Sequence, residues 1–329
     1  MELFTATKDL KFLDAHQIIG EAVKIPAKSS SSPLFLITTI TLILPLSVIQ
    51  LLCKISFSDF MLALYPESIN EFFYILSLFL LSLLSTSAIV FTVASLYASK
   101  SVSLISTLFA IPRVFEHLLI TFFYALLLEA ATYYLVIFIP KCVLDFENKF
   151  EEGALWWDYV IAIAVVCLGF LVHFYVMALW HLASVISVLE PNLYGLSAMK
   201  KSKELLQGRT KNALELVNIY FAATWFIGKG FGFAMQLPEH CMMVKILLGL
   251  LILFMLVAVN LTGFLVQSVF YFALKSHHDQ ITDKKVLHDH LCGYVNSPST
   301  DGGVEVQSLV KGQEKVGYQA VALDATTDV

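Results

Sequence analysis

Ile246-Leu-Leu-Gly-Leu-Leu-Ile-Leu-Phe-Met-Leu-Val-Ala-Val-Asn260 opens a run with no charged residue until Lys275. A bilayer core about 30 Å thick needs roughly 20 apolar residues in a helix. The stretch 246–274 exceeds that length. Five further stretches read the same way: 33–53, 72–97, 115–139, 159–189 and 213–234. The fifth of the six in chain order, 213–234, is the weakest, because it holds Glu215, Asn218 and Lys229. Barrel strands would alternate apolar and polar residues over about ten positions, and none of these runs does. Pro45 lies inside the first span, where it removes one backbone donor and is expected to kink the helix.

The bulk numbers agree. Of 329 residues, 58% are apolar and 14% charged, with a mean hydropathy of +0.76. A soluble domain carries roughly 25% charged residues. These values exclude a disordered chain, a coiled coil, a nucleic-acid-binding domain and a small disulfide scaffold. The sequence therefore predicts an all-α polytopic bundle of six transmembrane helices. Residues 1–32 form its N-terminal amphipathic segment, 33–275 its membrane domain and 276–329 a disordered polar tail.

Orientation follows from Lys and Arg near the spans. One side holds Lys8, Lys11, Lys24, Lys28, Lys100, Arg113, Lys200, Lys201, Lys203, Arg209, Lys211, Lys275, Lys284 and Lys285. The other holds Lys54, Lys141, Lys149 and Lys245, together with nine acidic residues such as Glu67, Asp145 and Glu151. Span parity and charge bias both put the two termini in the cytosol of an endomembrane or the plasma membrane. Residues 1–30 have no continuous apolar segment of signal-peptide type, so the first span is expected to direct targeting. Trp156 and Trp157 fit an outer aromatic belt, and Trp180 an inner one.

Outside the spans, residues 8–25 alternate Leu10, Leu13, Ile18, Val23 and Ile25 with Lys8, Lys11, Asp14, Glu21 and Lys24. Such a helix lies flat in the membrane interface or packs beneath the bundle. Stretches 101–112 and 195–208 are similar, and each precedes a hairpin of spans, which suggests three repeats. Gly195 suits a tight approach or turn, and Gly208 a helix C-cap. Lys200, Lys201, Lys203, Arg209 and Lys211 are candidate ligands for anionic lipid headgroups or phosphate.

Glu129 and His173 are the ionisable residues deepest in the spans, where such groups are expensive and often functional. Counted from Phe115 and Tyr159, they enter from opposite faces by roughly 21 Å each, leaving roughly 10 Å between their depths. The expectation is therefore separate interhelical hydrogen bonds, with a proton or solute pathway as the alternative. His181, Glu116, His117 and Glu215 are expected to cluster near the inner interface, and Asn260 and Gln267 mark the sixth span.

No C-x-x-C pair exists among Cys53, Cys142, Cys167, Cys241 and Cys292, so no zinc site is expected. Cys53, Cys142 and Cys241 fall near the outer face, where an oxidising lumen lets a disulfide form. His277, His278, His288 and His290 read as solvated tail residues. No H-E-x-x-H, G-x-S-x-G, Walker loop or dinucleotide fingerprint occurs. Neither catalysis nor a cofactor is expected. Gly228, Gly230 and Gly232 read as packing residues, and Asn260-Leu-Thr262 lies within a span, out of reach of glycosylation.

The segment from Trp180 to Arg209, taken with Leu10-Lys-Phe-Leu-Asp14 and Glu21-Ala-Val-Lys-Ile25, resembles a plant family of six-span transmembrane proteins. Members are often labelled polyadenylate-binding-protein-interacting. More distantly it is similar to the membrane domain of bacterial glycerophosphodiester phosphodiesterases. The resemblance implies a six-span fold and supplies no catalytic residues. The leading functional expectation is a membrane-organising or adaptor role through the lipid bilayer, anionic headgroups and cytosolic protein partners. The alternative is a transporter or channel for a small solute using Glu129 and His173.

Overall fold

The computed structural model describes residues 12–28, 32–56, 69–98, 114–132, 134, 156–190, 192–238, 240, 242–278 and 287. Every regular element among them is helical. In chain order these are α1 (Ala15–Lys28), α2 (Ser32–Thr38), a π-helical turn (Thr39–Ile43), α3 (Leu44–Ser56), α4 (Ile69–Tyr97), α5 (Val114–Thr132), α6 (Trp156–Leu189), α7 (Leu196–Leu205), α8 (Thr210–Met235) and α9 (Met242–His277).

Five helical stretches are long and apolar enough to cross a bilayer: Pro33–Leu52, Leu76–Tyr97, Val114–Thr132, Ile163–Leu189 and Met242–His277. The sequence predicts six. The missing one is α8, whose charged residues Lys211, Glu215 and Lys229 lower its hydropathy. Its length is not the obstacle, since 26 residues rise about 39 Å. Nor is its packing. Near one end Ala213 and Phe270 line a common cavity, further along Tyr220 and Asn260 do, and beyond them Phe231 meets Leu256. α8 therefore runs antiparallel beside α9 over most of its length.

The core sits at the end of the bundle that carries α1 and α7, here called the basic end. α4 is nearly enclosed there, with Leu83, Ile89, Val90, Val93 and Ala94 fully buried. The last turns of α6 and α9 join it through Leu182, Ile186, Leu265 and Leu274. Toward the other end, large apolar side chains face outward: Ile163, Leu168 and Leu171 on α6, Phe226 and Phe233 on α8, Leu247 and Phe254 on α9. A soluble monomer rarely exposes apolar surface on this scale. Hydrocarbon makes it favourable.

The first span shows how Pro45 is accommodated. The helix opens into the π turn just before it, and the Leu44 N–H reaches back to the Thr39 carbonyl. Proline lacks an N–H and crowds the carbonyl four residues earlier, and a wider turn relieves that crowding. The hydroxyls of Thr38, Thr39 and Thr41 donate to the carbonyls of Leu34, Phe35 and Ile37, at 2.7–2.9 Å.

α1 resolves the choice posed by its amphipathic pattern. Ala15, Ile18, Ala22 and Ile25 form one stripe of helical spacing and are buried, packed mainly on α9. The Asp14 N–H donates to Gln17 Oε1 at 3.0 Å, half of a capping box. Val23 and the preceding Phe12 remain exposed. Trp180, half-buried toward the basic end of α6, packs edge-on to Phe122, with ring centroids 5.0 Å apart, and its Nε1 is buried. α9 continues to His277, and Leu287 packs into the core. Stretch 101–112 of the suggested repeat lies outside the described residues.

Candidate functional site

Three contacts run along the seam of α5 and α6. At the basic end, Thr121 Oγ1 lies 2.7 Å from Ser187 Oγ. Next comes the Phe122–Trp180 edge contact. Seven residues further along each helix, His173 Nδ1 lies 2.9 Å from Glu129 Oε2. Glu129 is 4% exposed and His173 8%. The other carboxylate oxygen, Glu129 Oε1, is buried with no hydrogen-bond partner among the described residues.

This contact corrects the expectation of different depths. α6 spans 34 residues, about 51 Å at 1.5 Å each, and overshoots a 30 Å core. Depth counted from its outer end is therefore misplaced. Counted from the basic end, at Val114 and Leu189, both residues lie about 23 Å along their helices. A sequence signal for the pairing exists. Phe122 and Glu129, like His173 and Trp180, are seven apart and so share one helix face.

A second polar group ties α9 to α3 and α8. Asn260 Nδ2 donates to Ser47 Oγ at 2.9 Å and to Gln50 Oε1 at 2.8 Å. Its Oδ1 accepts from the Tyr220 hydroxyl at 2.9 Å. Beside it His181 Nδ1 donates to Gln267 Oε1 at 3.3 Å. His181, Tyr220, Asn260 and Gln267 all line a cavity of about 80 Å³ enclosed by α6, α8 and α9 and partly open to the outside. His181, Glu116, His117 and Glu215 do not form one cluster. His117 stacks on Tyr194, with centroids 4.7 Å apart, and Glu215 faces His16 at 3.5 Å.

A third group was not foreseen. Glu190 Oε1 meets Lys275 Nζ at 2.9 Å and accepts from the Tyr271 hydroxyl at 2.8 Å. The signal was present, since Glu190 and Lys275 are the first charges beyond the apolar runs of α6 and α9.

The α6–α7 connection is built on glycine. Gly195 has φ +61°, and its N–H donates to Thr121 Oγ1 at 2.7 Å. The Thr121 hydroxyl proton is shared between Ser187 Oγ and the His117 carbonyl at 3.1 Å, and the Ser187 hydroxyl donates to the Ala183 carbonyl at 2.7 Å. Gly208 has φ +82° beyond the end of α7, as the C-cap reading expects. His278 Nε2–H donates to the Leu205 carbonyl at 3.0 Å, so His278 helps to cap α7. His288 and His290 lie outside the described residues.

The five basic candidates separate. Lys200, Lys203 and Lys211 are exposed. Lys201 lies 3.7 Å from Glu204. Arg209 Nη1 donates to the Leu13 carbonyl at 2.6 Å, fastening the chain just before α1 to the start of α8. Arg209→Gln is expected to loosen α1, and amide hydrogen exchange over residues 15–28 should speed up by about tenfold, the value of one charge-assisted bond. Unchanged exchange there would show that the apolar stripe alone holds α1.

Cys142 and Cys241, and the side chain of Cys53, lie outside the described residues. Cys167 is free and exposed. No group of three metal-ligating side chains occurs among the described residues.

No curated protein and no solved structure matches the chain. A family model described as a domain of unknown function, DUF8558, matches residues 67–307. That stretch holds the α5–α6 seam, the Glu190–Lys275 pair and the whole lining of the cavity, and omits α1 to α3. Matched over most of its length, the chain belongs to the DUF8558 family.

Proposed function

We propose that the chain is a six-span membrane protein with both termini cytosolic, acting without catalysis by presenting a basic face to anionic lipid headgroups and cytosolic partners. The observation that carries this reading is the posture of α7. Ala198, Met199, Ser202 and Leu205 are buried, and the Ser202 hydroxyl donates to the Leu179 carbonyl of α6 at 2.9 Å. Lys200 and Lys203 are left facing outward, with Lys211 at the start of α8. Each such lysine contributes about 1 kcal/mol near an anionic surface. Phe12, just before α1, and Val23 on α1 are exposed and add apolar contact. α8 counts as the sixth span because it pairs with α9 along its length. A binding titration on the detergent-purified chain tests this, with phosphatidylserine against phosphatidylcholine read by native mass spectrometry. K200Q/K203Q/K211Q should weaken phosphatidylserine binding by at least about fivefold per effective lysine and leave phosphatidylcholine unchanged. Equal binding by variant and parent would remove the headgroup role.

A second reading is favoured by one observation, the buried Glu129–His173 contact with its bare Oε1. A carboxylate and an imidazole at one depth are the parts of a proton-coupled solute pathway. Proteoliposome flux that is lost in Glu129→Gln supports it. Absence of flux under any ion gradient counts against it.

A further inference from the structure

We propose that the cavity between α6, α8 and α9 binds a neutral, hydroxyl-bearing amphiphile drawn from the bilayer. Its chemistry selects for this class in three ways. No Asp, Glu, Lys or Arg lines it, so an ion would enter without a counter-charge, at a high desolvation cost. Its polar groups retain complementary hydrogen-bonding capacity. The Gln267 oxygen can only accept, so His181 Nδ1 carries the shared proton. His181 Nε2 is then an acceptor, and the Gln267 amide keeps its donors. A hydroxyl can donate to the first and accept from the second, whereas an ether or ketone can use only the amide and an alkane neither.

The remaining lining is apolar. Leu182, Leu216, Phe264 and Phe270 suit a hydrocarbon body. A volume of about 80 Å³ takes roughly five to eight water-sized groups at 10–15 Å³ each. That fits the hydroxyl end of an amphiphile, with the rest of its chain leaving through the open side. Gly263 shapes this end, because a Cβ there would meet the Tyr220 ring at 3.0 Å. Phe221, next to Tyr220 of the lining, is exposed on α8, and with α8 read as a span this makes the hydrocarbon region the source of the ligand. The site is distinct from the lysines of α7 and from the Glu129–His173 pair.

The test uses the full-length chain in phosphatidylcholine nanodiscs and a diazirine-bearing octan-1-ol as photoprobe, with labelled residues located by mass spectrometry. Saturable labelling is expected on the segments 213–220 and 263–270. Excess octan-1-ol should suppress it, and octane or octanoate should compete about tenfold less well, the weight of a buried hydrogen bond. His181→Phe/Gln267→Leu, whose melting temperature is checked alongside, should lose the labelling by a similar factor. The competition needs no variant, so a misfolded double variant leaves the test intact. Competition by octane equal to that by octanol, stronger competition by octanoate, or unsaturable labelling of lipid-facing residues would each overturn the proposal.

Discussion

His173→Leu is expected to destabilise the chain by about 3 kcal/mol, the upper end for leaving a buried acceptor without its partner. Glu129 already has one buried oxygen with no partner. Removing the imidazole 2.9 Å away strips the other as well. Thr132, the polar side chain one turn along α5, already donates its hydroxyl to the Leu128 carbonyl at 2.9 Å. Glu129→Leu/His173→Leu should recover most of the loss, since replacing both partners of a buried polar contact by apolar groups is often close to neutral. Unfolding in mixed micelles, followed by far-UV circular dichroism, measures all three proteins. A loss from His173→Leu near 0.6 kcal/mol, the mean for an interhelical membrane hydrogen bond, would reduce the contact to an ordinary polar bond. It would also remove the main physical support for a proton-coupled pathway.

Gly195→Ala should lower stability by about 3 kcal/mol through two separate effects. At φ +61° and ψ −132° a side chain is strained, at a cost of order 1–3 kcal/mol. An added Cβ would also come within 3.2 Å of Ile120 and Tyr124 on α5. Backing away from them would pull the Gly195 N–H off Thr121 and break the hydroxyl chain to Ser187. Gly230→Ala is the matched control. Its Cβ would meet nothing within 4 Å, and it lies inside α8, where alanine is favoured over glycine by up to about 1 kcal/mol. Thermal unfolding of the two variants should move in opposite directions. A Gly195→Ala protein as stable as the parent would mean that the α6–α7 connection is free to relax.

The sequence was most informative where one local property decides the outcome. Uninterrupted apolar runs announced the long helices, since hydrocarbon requires every backbone group to be paired within its own segment. Gly195 and Gly208 were legible because few other residues adopt a positive φ. The stripe on α1 showed in its spacing, although spacing alone could not tell a lipid surface from α9 as its cover. Tertiary partners were harder to read. Glu129 and His173 looked remote because bilayer thickness does not set the zero of a helix that overshoots it. Arg209 counted as one more cation until the Leu13 carbonyl appeared beside it. The Glu190–Lys275–Tyr271 group was passed over because each member looked like an ordinary helix-end residue. α8 fell between the two cases, with a composition too polar to announce a span and a pairing with α9 that supports one.

Whether α8 crosses decides the topology, and glycosylation mapping in microsomes addresses it directly. One Asn-X-Thr acceptor on a flexible linker is inserted after Gln236, between α8 and α9, and another after Val329. A six-span chain with both termini cytosolic predicts a mass shift for the first and none for the second. Modification after Val329 with none after Gln236 would leave five crossings, place the lysines beyond α9 in the lumen and contradict the account.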